Sequence, residues 1–360
     1  MKLRLTEYGE GTNVTYGISI QQAIAKVVGG AHLTRDEAKA AMNVIMEGEA
    51  TPAQIGSLIT ALRMKGETAE EIGGFAETMR GKANAVRSER SNLLDTCGTG
   101  GDGADTFNIS TASAIVAAGG GIRVAKHGNR AMSSKSGSAD VLEALGVHIG
   151  LNAEEASDCL ERIGICFMFA QSHHPSMKYA AVPRKEIGIR TVFNLLGPLT
   201  NPAGADRQLL GIFDRNRTEL IAEVLASLGI KRGLVVASYD GLDEISISAV
   251  TKVTELKDGE IETFDISPDD LGLRAYPMSD VVGGDAKTNA EIIRSVLGGA
   301  AGACRDIILA NAGACFYVTG HCSTLQEGVK LAGAVIDSGK AAEKLEQLVQ
   351  VTGELSHVSR

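Results

Sequence analysis

The chain has 360 residues, enough for one large domain or two medium ones, and its 44% hydrophobic and 22% charged residues are ordinary for a globular protein. Its formal net charge of −9 repels polyanions, which argues against a nucleic acid as main partner but leaves room for a local anion pocket. The opening residues lack the apolar run of a secretory signal and no stretch is long enough to span a bilayer, so we expect a cytoplasmic protein without a membrane partner.

The first 90 residues predict a small helical unit. Three short motifs are typical of helix starts, two of them capping boxes and one a threonine followed by proline: Thr34 with Glu37, Thr68 with Glu71, and Thr51 with Pro52. No convincing strand occurs before Arg90. We therefore predict a helical N-terminal domain over residues 1–90, in which the segment through about Gly17 resembles an added tail.

From Asn92 onward, short apolar runs alternate with helical stretches. The runs predicted as strands are SNLLDTCG, IRVAKHG, ICFMFAQ, RQLLGIF and RGLVVAS. This alternation predicts an α/β fold with a mostly parallel central sheet flanked by helices, over residues 91–360. In VTKVTELKDGEIETFDIS, Asp258 and Gly259 separate two alternating runs, which predicts an antiparallel hairpin in or beside the sheet.

The six cysteines form no CxxC pair and no dense framework, so we expect them to be reduced and mostly buried. Cys315, His321 and Cys322 are residue types that can bind a metal. Their spacing matches no zinc pattern, and core packing is the favoured interpretation.

A glycine-rich loop, GTGGDG at residues 98–103, follows the first predicted strand and precedes a helix that begins near Asn108. It matches a dinucleotide fingerprint, but the acidic residue that this fingerprint requires about 20 residues later is missing from residues 123–130. A more general anion site remains, in which backbone N–H groups and the side chains of Asn108, Ser110 and Thr111 face phosphate oxygens. Taken alone, a tight turn without a ligand explains the loop equally well.

A second loop, after the next predicted strand, is rich in cationic and hydroxyl side chains: Lys126, His127, Asn129, Arg130, Ser133, Ser134, Lys135, Ser136 and Ser138. Loops that follow adjacent parallel strands meet at one crevice. A basic cluster is usually a solvated surface, but beside a glycine-rich loop on an acidic protein it favours phosphate binding.

Asp243 and Glu244 follow the strand RGLVVAS and therefore lie at the same edge of the predicted sheet. Adjacent carboxylates suit Mg²⁺, which takes carboxylate and water oxygens while substrate phosphates fill other positions. Without the phosphate loops we would interpret the pair as a solvated turn. With them, a metal that bridges the carboxylates and a pyrophosphate is favoured.

Five stretches resemble the anthranilate phosphoribosyltransferases, glycosyltransferases that share their fold with pyrimidine nucleoside phosphorylases: DTCGTGGDGADTFNISTA, VAKHGNRAMSSKSGSADVLEALG, FMFAQSHHPSMKYAAVPRKEIGIRTVFNLLGPLTNP, DGLDEIS and GGDAKTNAEIIRSVLGG. With the helical part, the resemblance covers nearly the whole chain after the first ~15 residues. It implies Mg²⁺-dependent transfer of phosphoribose from phosphoribosyl pyrophosphate to anthranilate, in tryptophan biosynthesis. It also implies a homodimer joined through the helical domain, which would include roughly residues 184–204.

The resemblance also implies the roles of individual residues. Phosphoribosyl pyrophosphate would contact Gly98, Gly101, Asp102, Thr106, Asn108, Ile109, Ser110, Thr111, Lys126, His127, Gly128, Asn129, Arg130, Ser133, Ser134 and Ser138. Anthranilate would contact Gly98, Asn129, Arg184 and His174, and magnesium would bind Ser110, Asp243 and Glu244. No catalytic group is certain, although Lys126 and His127 would assist.

Two of these roles have a plainer alternative. Arg184 would be the fork for the anthranilate carboxylate, but the sequence alone favours a surface arginine at a helix start. His127, His173 and His174 could serve as acid–base groups, or they could pack in the phosphate loop and cap the helix predicted to start at Ser176.

Two other functions remain as alternatives. A pyrimidine nucleoside phosphorylase would need no magnesium, and Asp243, Glu244 and Arg184 argue against it. A non-catalytic nucleic-acid-binding protein on the same fold would need a basic face, which the net charge of −9 disfavours.

Overall fold

The computed structural model describes residues 18–88, 91–131 and 134–358, so the opening segment lies outside the described residues. The amino-terminal part is helical, with α1 Ile20–Val28, α2 Arg35–Met46, α3 Pro52–Lys65 and α4 Ala69–Gly81. A capping box precedes each helix, in which a hydroxyl accepts the backbone N–H three residues later: at Ser19, Thr34, Thr51 and Thr68. The three predicted helix starts are confirmed.

One sheet organises the rest of the chain. Its strands are β1 Leu93–Asp95, β2 Arg123–Gly128, β3 Ile165–Phe169, β4 Arg207–Gly211, β5 Arg232–Ser238, β6 Thr251–Lys257 and β7 Glu260–Ile266. They are ordered β3-β2-β1-β4-β5-β6-β7, with β1 to β5 parallel and β6 and β7 antiparallel to their neighbours. Asp258 and Gly259 join β6 to β7 with positive φ angles of 53° and 88°. The mostly parallel sheet and the hairpin are therefore confirmed.

Further helices connect the strands and complete the carboxyl-terminal part. They are α5 Ile109–Gly119, α6 Ser138–Ala144, α7 Ala153–Ile163, α8 Ala170–His173, α9 Lys178–Ile187, α10 Val192–Leu196, α11 Thr218–Ser227, α12 Ala286–Leu297, α13 Ala303–Val318, α14 Leu325–Asp337 and α15 Lys340–Val358. None of the described helices is both long and apolar enough to cross a membrane.

Two hydrophobic clusters cover the two faces of the sheet. Leu209 and Leu234 belong to the cluster that contains α5 and α13, whereas their neighbours Leu210 and Val235 belong to the cluster that contains α1 to α4. Alternate side chains of a strand point to opposite faces, so the helical part packs on one face of the sheet. Its cluster also includes Phe193 of α10, but the predicted domain boundaries themselves stay a prediction.

The strand order reverses between β1 and β4, and loops that leave a sheet at such a switch point enclose a crevice. The Thr99 N–H donates to the Gly211 carbonyl at the end of β4, over 2.9 Å. A Cβ atom added at Gly211 would lie 1.5 Å from the Asp243 carbonyl oxygen. The backbone after β5 therefore rests directly on the end of β4, beside the glycine-rich loop.

Candidate active site

The glycine loop, residues 96–108, is fixed to the loop that carries the acid pair. Gly100 and Gly101 have positive φ angles of 63° and 76°, which glycine adopts without strain. The Gly100 N–H donates to Asp243 Oδ2 over 2.7 Å, and a Cβ atom at Gly98 would lie 2.9 Å from the same oxygen. The close approach of backbone to carboxylate therefore depends on these glycines.

The basic loop, residues 129–137, contacts the glycine loop from the other side. The Asn108 side-chain amide donates to the Ser136 carbonyl over 3.0 Å, and the Ser136 hydroxyl donates back to Asn108 Oδ1 over 3.3 Å. The Lys135 ammonium lies 3.8 Å from the Asp105 carboxylate. The two loops thus meet at one edge of the sheet, as their positions after neighbouring strands predict.

Internal contacts hold the basic loop against α6. Arg130 pairs with Asp140 over 2.8 Å and with Glu143, while Asp140 also accepts the backbone N–H groups of Ala131 and Gly137, each over 2.9 Å. The guanidinium of Arg130 is therefore engaged by two carboxylates, and its contact with a phosphate stays a prediction. Ser133 lies outside the described residues.

Lys126 occupies the floor of the site. It is a buried residue of β2, and its ammonium donates to the Thr96 carbonyl over 2.5 Å and lies 3.4 Å from the Ser110 hydroxyl. The nearby Thr111 hydroxyl is buried without a hydrogen-bond partner among the described residues. The Ile109 side chain is buried in the core and its N–H donates to the Phe107 carbonyl, so its predicted phosphate contact has no free donor in this structure.

The acid loop, residues 239–250, carries two half-buried carboxylates side by side. Burial raises the pKa of Asp243 and of Glu244, and the negative charge of Asp102 raises both further. The Lys126 ammonium and the Ser110 backbone N–H act in the opposite direction on the pKa of Glu244. Among the described residues, no lysine or arginine lies within ion-pair distance of Asp243 or Glu244, so the pair lacks a cation from the chain.

The donor set fits a hard divalent cation. Two carboxylates and the Ser110 hydroxyl offer oxygen ligands, and the raised carboxylate pKa values show that positive charge would be stabilised here. No group of three or more His, Cys, Asp or Glu side chains in the described part of the chain is arranged to hold a metal. The remaining ligands would come from phosphate and water, which is the usual pattern for Mg²⁺.

Two histidines face each other behind the basic loop. The rings of His127 and His174 are 5.1 Å apart, and they contact the carbonyls of Gly197 and Thr200 over 3.2 and 3.0 Å. Burial lowers the pKa of His127 to about 3 and that of His174 to about 4. Both rings are therefore neutral near pH 7. His174 stands at the N-cap position of the short turn Pro175–Met177 but makes no side-chain capping hydrogen bond, and His173 is buried, so the structure favours packed histidines over a capping pair.

Arg184 lies in the last turn of α9, half-buried, with its guanidinium 5.1 Å from the Phe193 ring centre. Burial lowers its pKa. No carboxylate among the described residues pairs with it. The alternative of a surface arginine at a helix start is therefore wrong, and the guanidinium is partly desolvated without an anionic partner among the described residues.

Two residues near the site were missed by sequence reasoning because their partners are distant in the chain. Arg190 donates to the Gly101 carbonyl and stacks on Phe213, 4.1 Å from its ring centre. Asp95 accepts the His127 N–H over 3.1 Å and the Asn201 amide over 2.8 Å, and burial raises its pKa to about 6. An aspartate at the end of an apolar strand was the available signal for Asp95.

Two buried asparagines were also missed. Asn311 of α13 accepts the Ile245 N–H over 3.0 Å and donates to the Ile245 carbonyl over 2.9 Å, which fixes the backbone next to Glu244. Asn289 of α12 donates to Asn108 over 3.0 Å. Asn289 lies in the stretch GGDAKTNAE, which contributes to the family resemblance, but the resemblance assigned it no role.

Comparison with known proteins identifies the family. Residues 21–83 match the helical bundle domain of a glycosyl transferase family, and residues 90–342 match the a/b domain of that family. Anthranilate phosphoribosyltransferase of Brevibacillus brevis is 53% identical over 337 residues, which are 94% of this chain and 99% of the relative. The anthranilate phosphoribosyltransferase of Acetivibrio thermocellus is 53% identical over 333 residues, which are 92% of this chain and 96% of the relative. The chain belongs to the anthranilate phosphoribosyltransferase family.

Solved structures of the family share the fold. The anthranilate phosphoribosyltransferase of Thermus thermophilus superimposes with a TM-score of 0.88 and 43% identity, over 92% of this chain and 99% of that one. The Saccharomyces cerevisiae enzyme, in complex with PRPP and Mg, gives a TM-score of 0.85 and 28% identity, over 93% and 98%. The yeast enzyme has also been solved with 4-fluoroanthranilate, at a TM-score of 0.84, 27% identity and the same shares of both chains.

Proposed function

We propose that this chain transfers the phosphoribosyl group of phosphoribosyl pyrophosphate to the amine of anthranilate, giving N-(5-phosphoribosyl)anthranilate and pyrophosphate. This is the second step of tryptophan biosynthesis from chorismate. One observation carries the proposal beyond family membership: Asp243 and Glu244 lie side by side at the switch point, half-buried, with no cation partner among the described residues. A nucleoside phosphorylase, which needs no magnesium, has no use for such a pair.

The glycine and basic loops would hold the donor, through the residues assigned to it above. Backbone N–H groups of the glycine loop and the amino end of α5 favour phosphate oxygens. The Lys126 ammonium, 3.4 Å from the Ser110 hydroxyl, would stabilise negative charge on the departing pyrophosphate. These groups are already fixed by hydrogen bonds, so little reorganisation is needed when the charge develops.

Ser110, Asp243 and Glu244 would hold Mg²⁺. When bound, the ion supplies positive charge to the pyrophosphate leaving group. Asn311 keeps the Ile245 backbone in place through two hydrogen bonds, and this fixes the direction of the neighbouring Glu244. The Gly100 N–H bond to Asp243 orients the other carboxylate.

Arg184 would bind the anthranilate carboxylate, because the planar guanidinium can donate two parallel hydrogen bonds to a carboxylate and no described residue supplies an anion there. The amine lone pair forms the bond to C1 while the bond from C1 to the pyrophosphate oxygen breaks, and its electron pair leaves with pyrophosphate. The aromatic amine is unprotonated near neutral pH, so positioning matters more than base assistance. The neutral rings of His127 and His174 would line the route, and the surplus proton leaves to solvent.

The quaternary arrangement and the location belong to the same proposal. We infer a homodimer joined through the helical domain, residues 1–90 with roughly 184–204, while residues 91–360 form the catalytic domain. Three exposed apolar side chains in these segments support it: Val28 on α1, Met64 on α3 and Ile189 just after α9 are 70%, 83% and 51% exposed. All six cysteines are free thiols in the structure, which supports a reducing, cytoplasmic location.

The test follows anthranilate fluorescence with purified protein, phosphoribosyl pyrophosphate and Mg²⁺, with EDTA as control. We expect a fluorescence decay that requires both the donor and the metal. A decay that persists in EDTA would remove the metal role. No decay, together with phosphorolysis of thymidine or uridine, would replace the proposal with a nucleoside phosphorylase.

A further inference from the structure

The segment of residues 281–289, VVGGDAKTN, lies along the end of the glycine loop and takes no part in the proposed chemistry. Thr106 and Val282 form an antiparallel bridge. The Phe107 N–H donates to the Val281 carbonyl over 3.3 Å, and the Gly283 N–H donates to the Asp105 carbonyl over 2.8 Å. The segment is therefore a backbone brace along residues 105–107, and we call it the brace.

Asn289 closes the brace from the first turn of α12. The residue is 1% exposed. Its Oδ1 accepts the Gly284 N–H over 2.7 Å, and its Nδ2 donates to Asn108 Oδ1 over 3.0 Å. A Cβ atom at Gly283 would lie 2.5 Å from Asn289 Oδ1, so a glycine is needed for this approach.

Asn108 has no polar side-chain atom left over. Its Nδ2 donates to the Ser136 carbonyl, and its Oδ1 accepts from both the Ser136 hydroxyl and Asn289 Nδ2. One continuous hydrogen-bonded chain thus joins the brace, the glycine loop and the basic loop. The Gly284 N–H orients the Asn289 amide, and Asn289 and the Ser136 carbonyl together fix the direction of the Asn108 amide.

We propose that Asn289 is a positioning residue for the phosphate site: by fixing the Asn108 amide, it keeps the glycine loop and the basic loop at the separation that the donor requires. This rests on the proposed function, since both loops are assigned to phosphoribosyl pyrophosphate. If the amide turned over, Asn108 Oδ1 would face the Ser136 carbonyl oxygen, and two acceptors at hydrogen-bond distance repel. The loops would then move apart, while the Arg184 side chain on α9 would be unaffected.

The aspartate variant separates the two hydrogen bonds of Asn289. Asn289→Asp keeps an oxygen for the Gly284 N–H but loses the donor to Asn108, whereas Asn289→Ala loses both. Loss of a buried hydrogen-bonding partner corresponds to about 5- to 150-fold in an equilibrium constant. We expect both variants to raise the KM for phosphoribosyl pyrophosphate by about tenfold or more and to change the KM for anthranilate less than about twofold.

Thr352→Val is the matched control. Thr352 is 1% exposed and its hydroxyl accepts the His148 N–H over 3.1 Å, so the variant also loses a buried hydrogen bond, but one that involves neither loop. Both KM values should stay at the wild-type level in this control. A rise in both would show that the assay responds to general loosening of the fold.

A double-variant comparison and a binding measurement complete the test. On an Asn108→Ala background, Asn289→Asp should have no further effect on the KM for the donor, because the link is already broken. Calorimetric titration with magnesium pyrophosphate reports the loops even if the wild-type protein lacks transferase activity, so failure of the proposed function is distinguishable. A wild-type donor KM in Asn289→Asp, equal changes in both KM values, or additive effects with Asn108→Ala would overturn the proposal.

Discussion

The molecule buries charged side chains in two regions and treats them differently. In the helical part, Lys65 and Glu71 form an ion pair of 2.9 Å, with side chains 6% and 0% exposed, and Glu71 also accepts the Leu33 N–H over 2.9 Å. At the switch point, Asp243 and Glu244 lie beside each other and no described lysine or arginine pairs with them. One region supplies its own counter-charge, and the other leaves it to be supplied.

The difference separates charges that hold the fold from charges that serve a ligand. A buried ion pair with additional hydrogen bonds is satisfied within the chain, and removal of one partner strands the other. Two carboxylates with raised pKa values oppose folding when both are ionised, so they persist where a bound cation compensates. The Lys65–Glu71 ion pair should therefore stabilise the folded protein without affecting activity. Asp243 and Glu244 should be needed for activity, although they lower the free energy of unfolding.

The largest expected effect comes from Glu244→Gln, which removes one carboxylate and keeps the shape of the side chain. We expect kcat/KM with Mg²⁺ to fall about 1,000-fold, since a metal ligand contributes several kcal/mol to stabilising the leaving group. In EDTA the same variant should unfold at a higher temperature than wild type, because it no longer buries a carboxylate that is desolvated and repelled by Asp243. Wild-type activity, or a clearly lower midpoint in EDTA, would remove the distinction between the two regions.

The opposite pattern is expected for Lys65→Met in the helical part. Glu71 would be left buried without its cation, at a cost of about 3 kcal/mol in the free energy of unfolding. Chemical denaturation measures this loss, and kcat/KM per folded molecule should stay near the wild-type value. A stable variant with reduced activity would show that this pair serves the site after all.

Arg184→Ala tests whether a lone cation follows the same rule as the lone carboxylates. Loss of a charge-assisted contact to the anthranilate carboxylate should raise the KM for anthranilate about 30-fold, and that for the donor far less. The unfolding midpoint should change little, because no described carboxylate is left without its partner and only the contact with the Phe193 ring is lost. Steady-state titration of each substrate checks this prediction. Equal effects on both KM values would contradict the proposal that Arg184 binds the anthranilate carboxylate.

The smallest expected effect is on the pH dependence of the free energy of unfolding. It comes from His174, which is buried as a neutral ring and not as half of an ion pair. Burial lowers the pKa of His174 from 6.5 to about 4. Below pH 6.5 His174 therefore binds a proton in the unfolded chain but stays neutral in the folded one. The free energy of unfolding is thus highest above pH 6.5 and decreases as the pH falls towards 4. Between pH 6.5 and 5, wild type should lose about 1.5 kcal/mol more than His174→Gln. Chemical denaturation at each pH measures the free energy of unfolding of both proteins. The same pH dependence in both would contradict a lowered pKa of His174.

Local signals in the sequence were enough to predict most of the fold. Threonines three residues before an acidic residue predict where α2 and α4 begin, and Asp258-Gly259 predicts the hairpin. Alternating apolar runs and helices predict the parallel strands. The packing of the helical part on one face of β4 and β5 was not predicted, since it depends on which face of each strand is turned towards it.

The sequence predicted which side chains form the site but not which distant residues hydrogen-bond to them. Loops after neighbouring strands meet at one edge, which brings together Lys126, Asn108 and Glu244 from distant parts of the chain. The engagement of Asn108 by Asn289, 181 residues later, was not predictable, because a hydrogen bond between distant side chains leaves no periodic signal. The depressed pKa of His127 depends likewise on burial, which a histidine at the end of a strand does not reveal.

The most direct test of the difference between the two regions is the thermal unfolding midpoint of wild type and of the double variant Asp243→Asn/Glu244→Gln, each in EDTA and in magnesium pyrophosphate. If the pair is a cation site that opposes folding, wild type should begin lower in EDTA and rise by several degrees with magnesium pyrophosphate, because a ligand stabilises the state it binds. The double variant should begin higher and stay there. A double variant that begins lower than wild type and rises as much with magnesium pyrophosphate would contradict the assignment.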